Sequence, residues 1–349
     1  MNRKFDLTTL VRKNVANLKP YSSARDEFQS VGKEMVFLDA NENPFQTDVN
    51  RYPDPQQKTL KAAIAKIKGV PQDTILLGNG SDEVLDLLFR AFCEPKKDNV
   101  ITLPPTYGMY AVLANINDVE NREIILTPDF EPNISRILSA VDRHSKIIFL
   151  CFPNNPTGNS FSEESVLDLL EHFNGLVVID EAYIDFSTKE SWVQRLKAFP
   201  NLVVTQTLSK AYGMAGIRLG VCYASTEITS VLNKIKPPYN VNELSQLRAL
   251  NRIDNLEKVK DEVLEILEER ARLLQVLRKV SYILKIYESD ANFILIKVDD
   301  ATKRYTELLE MGIVVRNRTN QPLCENTLRL TVGIPEENDR LVKALMSLN

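Results

Sequence analysis

Five short apolar runs, each broken off by polar residues, constrain this chain more than any other feature. Thr74-Ile75-Leu76-Leu77 ends at Gly78-Asn79-Gly80-Ser81-Asp82-Glu83, and Val100-Ile101-Thr102-Leu103 ends at Pro104-Pro105-Thr106-Tyr107. Lys146-Ile147-Ile148-Phe149-Leu150-Cys151 ends at Phe152-Pro153-Asn154-Asn155-Pro156-Thr157-Gly158. Leu176-Val177-Val178-Ile179 ends at Asp180-Glu181-Ala182-Tyr183, and Leu202-Val203-Val204 leads into Thr207-Leu208-Ser209-Lys210. The runs are nearly unbroken and rich in β-branched residues, as strands buried on both faces must be. Stretches with helical apolar spacing separate them, such as Val84, Leu85, Leu87, Leu88 and Phe92. This alternation predicts an α/β fold with a mainly parallel sheet flanked by helices.

In such sheets ligands bind beyond the carboxyl ends of the strands. The unusual polar residues all fall there, so five strand ends point at one edge. Each of these residues has a bland reading. Asp180 alone suits a helix N-cap, Asn154-Asn155-Pro156 a turn, Arg218 a surface ion pair and Lys210 a solvated charge. Their conjunction favours a shared site. Lys210 lies among small residues, with a hydroxyl just before it and an arginine eight positions after it. A lysine amine can condense with an aldehyde. Gly80, Ser81 and Asp82 open a helix, where free N–H groups and the helix dipole favour an anion. Thr207, Ser209 and Arg218 add hydroxyls and a positive fork. A carboxylate such as Asp180 is costly at an apolar strand end unless paired, and a protonated pyridine nitrogen is a suitable partner. Tyr107 can stack on a ring, and Asn155 and Tyr183 can donate to its phenolic oxygen. Pyridoxal phosphate (PLP) meets all of these demands, with Lys210, Asp180 and Tyr183 as the catalytic residues.

At 349 residues the chain has room for two domains. We expect an N-terminal arm with part of a small domain over 1–45, a large domain over 46–250 and a small C-terminal domain over 251–349. Residues 255–280 read as one long helix joining the two. Beyond it lie strand candidates at 282–287 and 293–298, a strand pair at 313–315 and 328–332, and helices near 302–310 and 335–347. Earlier in the chain, Pro55 suits the start of a helix through about Ile67, and Ser162 suits an N-cap. The net charge of −4 gives no electrostatic case for nucleic acid or an anionic membrane. No run approaches the ~20 apolar residues that span a bilayer, and no apolar segment follows Met1–Asp6 as in a signal peptide. Cys93, Cys151, Cys222 and Cys324 are widely spaced, and the first three sit in apolar surroundings and read as buried, reduced thiols, so the cytoplasm is expected. Neither His144 nor His172 has a ligand-spaced partner, so no metal site is expected.

Three blocks carry a family resemblance: 151–158, Ile179-Asp180-Glu181-Ala182-Tyr183, and Ser209 through Gly220. They are similar to the signature blocks of fold-type I PLP aminotransferases. Pro20-Tyr21-Ser22-Ser23-Ala24-Arg25, Asn41-Glu42-Asn43-Pro44, Arg51-Tyr52-Pro53, Pro238–Asn242, Val315-Arg316 and Leu328–Gly333 narrow the resemblance to the histidinol-phosphate aminotransferase family. It implies a seven-stranded sheet with a smaller α+β domain, and a homodimer in which Tyr52 reaches the neighbour's cofactor phosphate. It implies interconversion of L-histidinol phosphate plus 2-oxoglutarate with imidazole-acetol phosphate plus glutamate, in histidine biosynthesis. Tyr21, Asn41, Arg316 and Arg329 are the expected substrate-binding residues. Arg318 shares a face with Arg316 if both lie on one strand, leaving their roles open. Gly220-Val221 departs from the pattern, where many relatives carry an aromatic after the glycine. The rivals are an L-threonine-O-3-phosphate decarboxylase, an aromatic amino-acid aminotransferase, and a non-catalytic PLP-binding regulator. Nothing in the first 40 residues reads as a DNA-binding helix-turn-helix.

Overall fold

The computed structural model describes residues 5–21 and 35–348. Seven strands form one sheet: β1 Ile75–Asn79, β2 Asn99–Thr102, β3 Glu120–Glu123, β4 Ser145–Cys151, β5 Leu176–Asp180, β6 Leu202–Thr207 and β7 Leu219–Ala224. Their spatial order is β1-β7-β6-β5-β4-β2-β3. Only β7 runs against its neighbours. All five apolar runs are strands, so the anticipated parallel sheet is present. The other two strands, β3 and β7, are not among those runs. β3 reads Glu-Asn-Arg-Glu because it is a sheet edge, and β7 follows the lysine stretch without a separating helix.

Side chains alternate across the sheet, and so do the two cores beneath it. Val177, Ile179 and Val204 pack in one cluster, while Leu176, Val178 and Val203 pack with Phe89 and Tyr110 in the other. Fully burying such a side chain contributes about 1.5–3 kcal/mol. The alternation has a direct consequence at the end of β5. Asp180 falls on the Tyr110 side, and the next residue, Glu181, falls on the opposite side.

Local starts follow the sequence with one shift. Ser162 caps Glu163–His172, its hydroxyl accepting from Ser165 N. The helix expected from Pro55 instead spans Lys58–Lys68. Asp54 accepts from Gln56 N and Lys58 N, and Gln57 sits at φ +47, so Pro55 lies in a turn before the helix.

The helix Leu256–Leu277 leads to a second, four-stranded antiparallel sheet. Its strands are β8 Ile283–Ile286, β9 Phe293–Val298, β10 Arg316–Asn317 and β11 Thr327–Thr331, in the order β10-β11-β9-β8. The helices Ala301–Glu310 and Pro335–Ser347 accompany it. The strand expected at 313–315 begins at Arg316 instead. Val315 is buried, but backbone pairing starts one residue later, so apolar character marks the approach rather than the ladder.

Two glycines set close contacts. A Cβ on Gly220 would lie 2.3 Å from Ser81 N, so the small residue there lets β7 pass the helix that Ser81 opens. The following Val221 is core, which makes the departure from the family pattern a matter of packing. Gly158, at φ +88, touches the segment between β8 and β9. Its carbonyl accepts from Asp290 N at 2.8 Å, and a Cβ there would lie 2.7 Å from Ser289 Oγ.

Candidate active site

The strand ends of the large sheet open on one cleft. It is lined by Ser81, Asp82, Tyr107, Asn155, Asp180, Tyr183, Thr207, Ser209, Lys210 and Arg218, together with Cys151, Ala182 and Ala215. Ten of the anticipated residues therefore meet in one place, although they come from five segments of chain.

Asp180 lies at the closed end. It is buried, and burial pushes its carboxyl up to about 6. Two donors oppose that shift: Tyr110 OH at 2.9 Å and Thr205 Oγ1 at 3.1 Å. The short 3-10 helix that follows, Ile184–Phe186, has Tyr183 at its N-cap, so Asp180 is not a cap. Sequence reasoning does not single out Tyr110 or Thr205. Tyr110 stands one helical turn beyond Tyr107, and Thr205 is the register partner of Asp180 across β5 and β6. A threonine inside the run Leu-Val-Val-Thr is the only signal the sequence offers.

Lys210 projects from the turn after β6, its Nζ 5.7 Å from the centre of the Tyr183 ring. Loss of hydration in the cleft, then the fields of Arg329 and Arg218, lower the pKa of its ammonium. The amine is thus easier to deprotonate than an ordinary lysine. Burial holds the Tyr183 phenol protonated, and Asn155 Nδ2 lies 3.4 Å from its oxygen.

The cleft's anion corner is made by the helix start at Ser81, the hydroxyls of Thr207 and Ser209, and Arg218. Thr207 Oγ1 and Ser209 Oγ are 3.0 Å apart. Gly80, at φ +83, is not itself in the lining. A Cβ there would sit 2.7 Å from Arg218 Nη2, so its role is to let the guanidinium in. Asp82 accepts from Tyr107 OH at 3.0 Å and lies 3.8 Å from Arg218. These residues fit PLP: an amine for its aldehyde, a buried carboxylate for its ring nitrogen, a phenol and amide for its ring oxygen, and a cradle for its phosphate.

The four expected substrate-binding residues divide. Arg329 donates to Asn155 Oδ1 and lies over the Phe293 ring. Arg316 is its register partner across β10 and β11 and is exposed. Tyr21 and Asn41 are exposed and do not line the cleft. Ser22–Arg25 of the arm motif lie outside the described residues. Tyr52 is also outside its own chain's cleft, half-exposed and stacked on Tyr239 with ring centres 4.5 Å apart. All four cysteines are free and buried. Among the described residues no group of His, Cys, Asp and Glu is arranged to hold a metal, and no helix is long and apolar enough to cross a membrane.

Residues 27–345 match the family of class I and II aminotransferases. The chain belongs to this family. Among relatives of this aminotransferase, a histidinol-phosphate aminotransferase from Flavobacterium johnsoniae is 67% identical over 346 residues, covering 99% of each chain. Another, from Christiangramia forsetii, is 62% identical over 346 residues, also covering 99% of each. The solved histidinol-phosphate aminotransferase of Clostridium acetobutylicum shares the fold with a TM-score of 0.79, at 25% identity, covering 86% of this chain and 91% of that one.

Proposed function

We infer that this aminotransferase uses PLP to move an amino group between L-histidinol phosphate and 2-oxoglutarate, giving imidazole-acetol phosphate and glutamate. In histidine biosynthesis the reaction runs in reverse, with glutamate as donor. The observation that carries the reading is full-length similarity at 67% identity to a histidinol-phosphate aminotransferase. The cleft supports it, with Lys210 and Asp180 on one wall and arginines on the other.

PLP supplies an aldehyde that takes up the amino group and a ring that spreads the charge left on the substrate carbon. Lys210 Nζ would hold the aldehyde. The Lys210 amine, lowered in pKa by loss of hydration and by Arg329 and Arg218, would serve as the base that holds and moves the proton of the substrate carbon. Such general acid–base transfer contributes about 10²–10⁴-fold. Asp180 keeps a proton on the ring nitrogen. Tyr183 and Asn155 would donate to the ring oxygen, and Tyr107 would flank the ring. Gly80, Ser81, Asp82, Thr207, Ser209 and Arg218 hold or frame the phosphate.

Arg329 and Arg316 bind the substrate's anionic group, with Tyr21 and Asn41 of the N-terminal segment closing over it. A homodimer belongs to the same reading, and Tyr52 supports it. Its half-exposed ring, braced on Tyr239, suits a reach toward a neighbour's phosphate. The cytoplasm and the domain limits at 46–250 and 251–349 belong to the same reading. A coupled assay of L-histidinol phosphate against L-phenylalanine and L-threonine phosphate tests it. Amino transfer is expected to be fastest with L-histidinol phosphate. Release of carbon dioxide from L-threonine phosphate, without transfer from L-histidinol phosphate, would sink it.

A further inference from the structure

The small sheet presents three arginines on one face. β10 pairs with β11 so that Arg316 lies opposite Arg329. The pairing runs past the end of β10, since Arg318 N donates to Thr327 O at 2.9 Å. Residues two apart on a strand share a face, so Arg316, Arg318 and Arg329 stand together. The packing shows which way they look. Leu328, Leu330, Ile294 and Ile296 fill the small unit's own core. Leu295, the register partner of Arg329 on β9, packs instead with the large sheet. The arginine face therefore looks toward the cleft.

Neutralisation of this face is missing. Among the described residues no carboxylate pairs with Arg316, Arg318 or Arg329. The Nε atoms of Arg318 and Arg329 are shut from water without a hydrogen-bond acceptor, as is the neighbouring Thr319 hydroxyl. Buried donors left unmade are costly. Arg318 also stands close enough to help hold down the pKa of Arg329, beyond the effect of burial. Its field reaches the Tyr183 phenol in the cleft as well. Three crowded cations, two of them partly dehydrated, favour an anion of more than one charge. The amino donor and the phosphate substrate differ here. A carboxylate brings one charge and two oxygens, whereas a phosphate monoester near neutral pH carries about −1.5 to −2 over three oxygens. Two forks suffice for the first, and a third has work only with the second.

We propose that Arg318 is a specificity-determining residue whose guanidinium, beside Arg316 and Arg329, reads the extra charge of a phosphate monoester and adds little to carboxylate binding. This rests on the reading that the substrate is a phosphate-bearing amine. Arg318→Gln and Arg318→Lys are compared with the unchanged enzyme, loaded with PLP, in the two half-reactions separately. In Arg318→Gln the KM for L-histidinol phosphate rises about tenfold to hundredfold. The KM for glutamate moves less than about threefold, because the third fork contributes little to a carboxylate. The loss appears in KM rather than kcat. Arg318→Lys keeps the charge without the planar fork and falls between the two. Equal loss for both substrates, or no loss for either, overturns the proposal. If the glutamine variant does not fold, the lysine variant carries the same contrast, and equal loss or no loss overturns the proposal there too. Unchanged enzyme that does not turn over L-histidinol phosphate would refute the functional reading instead, so the two failures are distinct.

Discussion

The two walls of the cleft handle charge in opposite ways. On the large-sheet wall each carboxylate is answered by the protein. Asp180 takes Tyr110 and Thr205, and Asp82 takes Tyr107 and lies by Arg218. On the small-sheet wall Arg316, Arg318 and Arg329 face the cleft with no carboxylate among the described residues. A wall balanced in advance suits a group that stays through every cycle. A wall left short of negative charge suits anions that arrive and leave, because each arrival relieves the imbalance. The difference separates resident cofactor from passing substrate without reference to either.

Breaking the balanced wall at its amine has the largest expected effect. Lys210→Ala is expected to remove turnover, with a loss of at least about 10²–10⁴-fold from the proton transfer alone. Thermal unfolding should change little, since Lys210 lines the cleft rather than the core. Full activity in a coupled assay would end its assignment. Breaking the other wall costs less. Charged hydrogen bonds contribute roughly 1.5–3 kcal/mol, so Arg329→Ala is expected to lower kcat/KM about tenfold to hundredfold for both L-histidinol phosphate and glutamate. Steady-state kinetics on each substrate check this, and an effect confined to one substrate contradicts a shared anion site.

A finer test concerns the donors behind Asp180. Tyr110 lowers the Asp180 pKa, which burial has raised to about 6. Below that value the carboxyl becomes neutral and no longer answers a protonated ring nitrogen. PLP retention is therefore expected to weaken as pH falls through the Asp180 pKa. Tyr110→Phe should raise that pKa and move the midpoint of a PLP-retention titration to higher pH. An unmoved or lowered midpoint would show that the hydroxyl does not tune Asp180.

The smallest effect lies on the far face. Glu181 is buried beneath the opposite core, accepting from Ser191 Oγ at 2.6 Å, Trp192 N at 2.6 Å and Gln206 Nε2 at 2.8 Å. Burial nonetheless raises its carboxyl to about 7. Folded protein therefore holds a proton that unfolded chain releases near the ordinary glutamate value of 4.5. Between those values this group makes the fold less stable as pH rises. Glu181→Gln should remove that part of the slope from denaturation curves collected across the same range. An unchanged slope would mean that Glu181 ionises normally.

The balanced wall was legible in the sequence and the other wall only partly so. Asp180, Asn155 and Lys210 each end a strong apolar strand, and the parallel sheet brings such ends together by geometry alone. Tyr110 and Thr205 act from inside a helix and a strand, where a tyrosine or threonine is ordinary, so only proximity reveals them. Arg316 and Arg318 could not be ranked from spacing. Their placement depends on a ladder that starts after the apolar residues 313–315, and on which face of a half-covered sheet looks inward. Tyr52 and Asn41 fall outside the cleft of their own chain, and no pattern within a single chain specifies what they meet.

Gly158 bears on how far apart the two walls stand. The chain leaves β4 through Asn155 and returns past Ser289 with no room for a methyl group. The width of the cleft is therefore gauged at a point that touches neither cofactor nor substrate. Any side chain at 158 would act as a shim. It would lift the arginines away from Lys210 while leaving every residue of both walls intact, so a complete set of active-site residues would no longer meet its two ligands together.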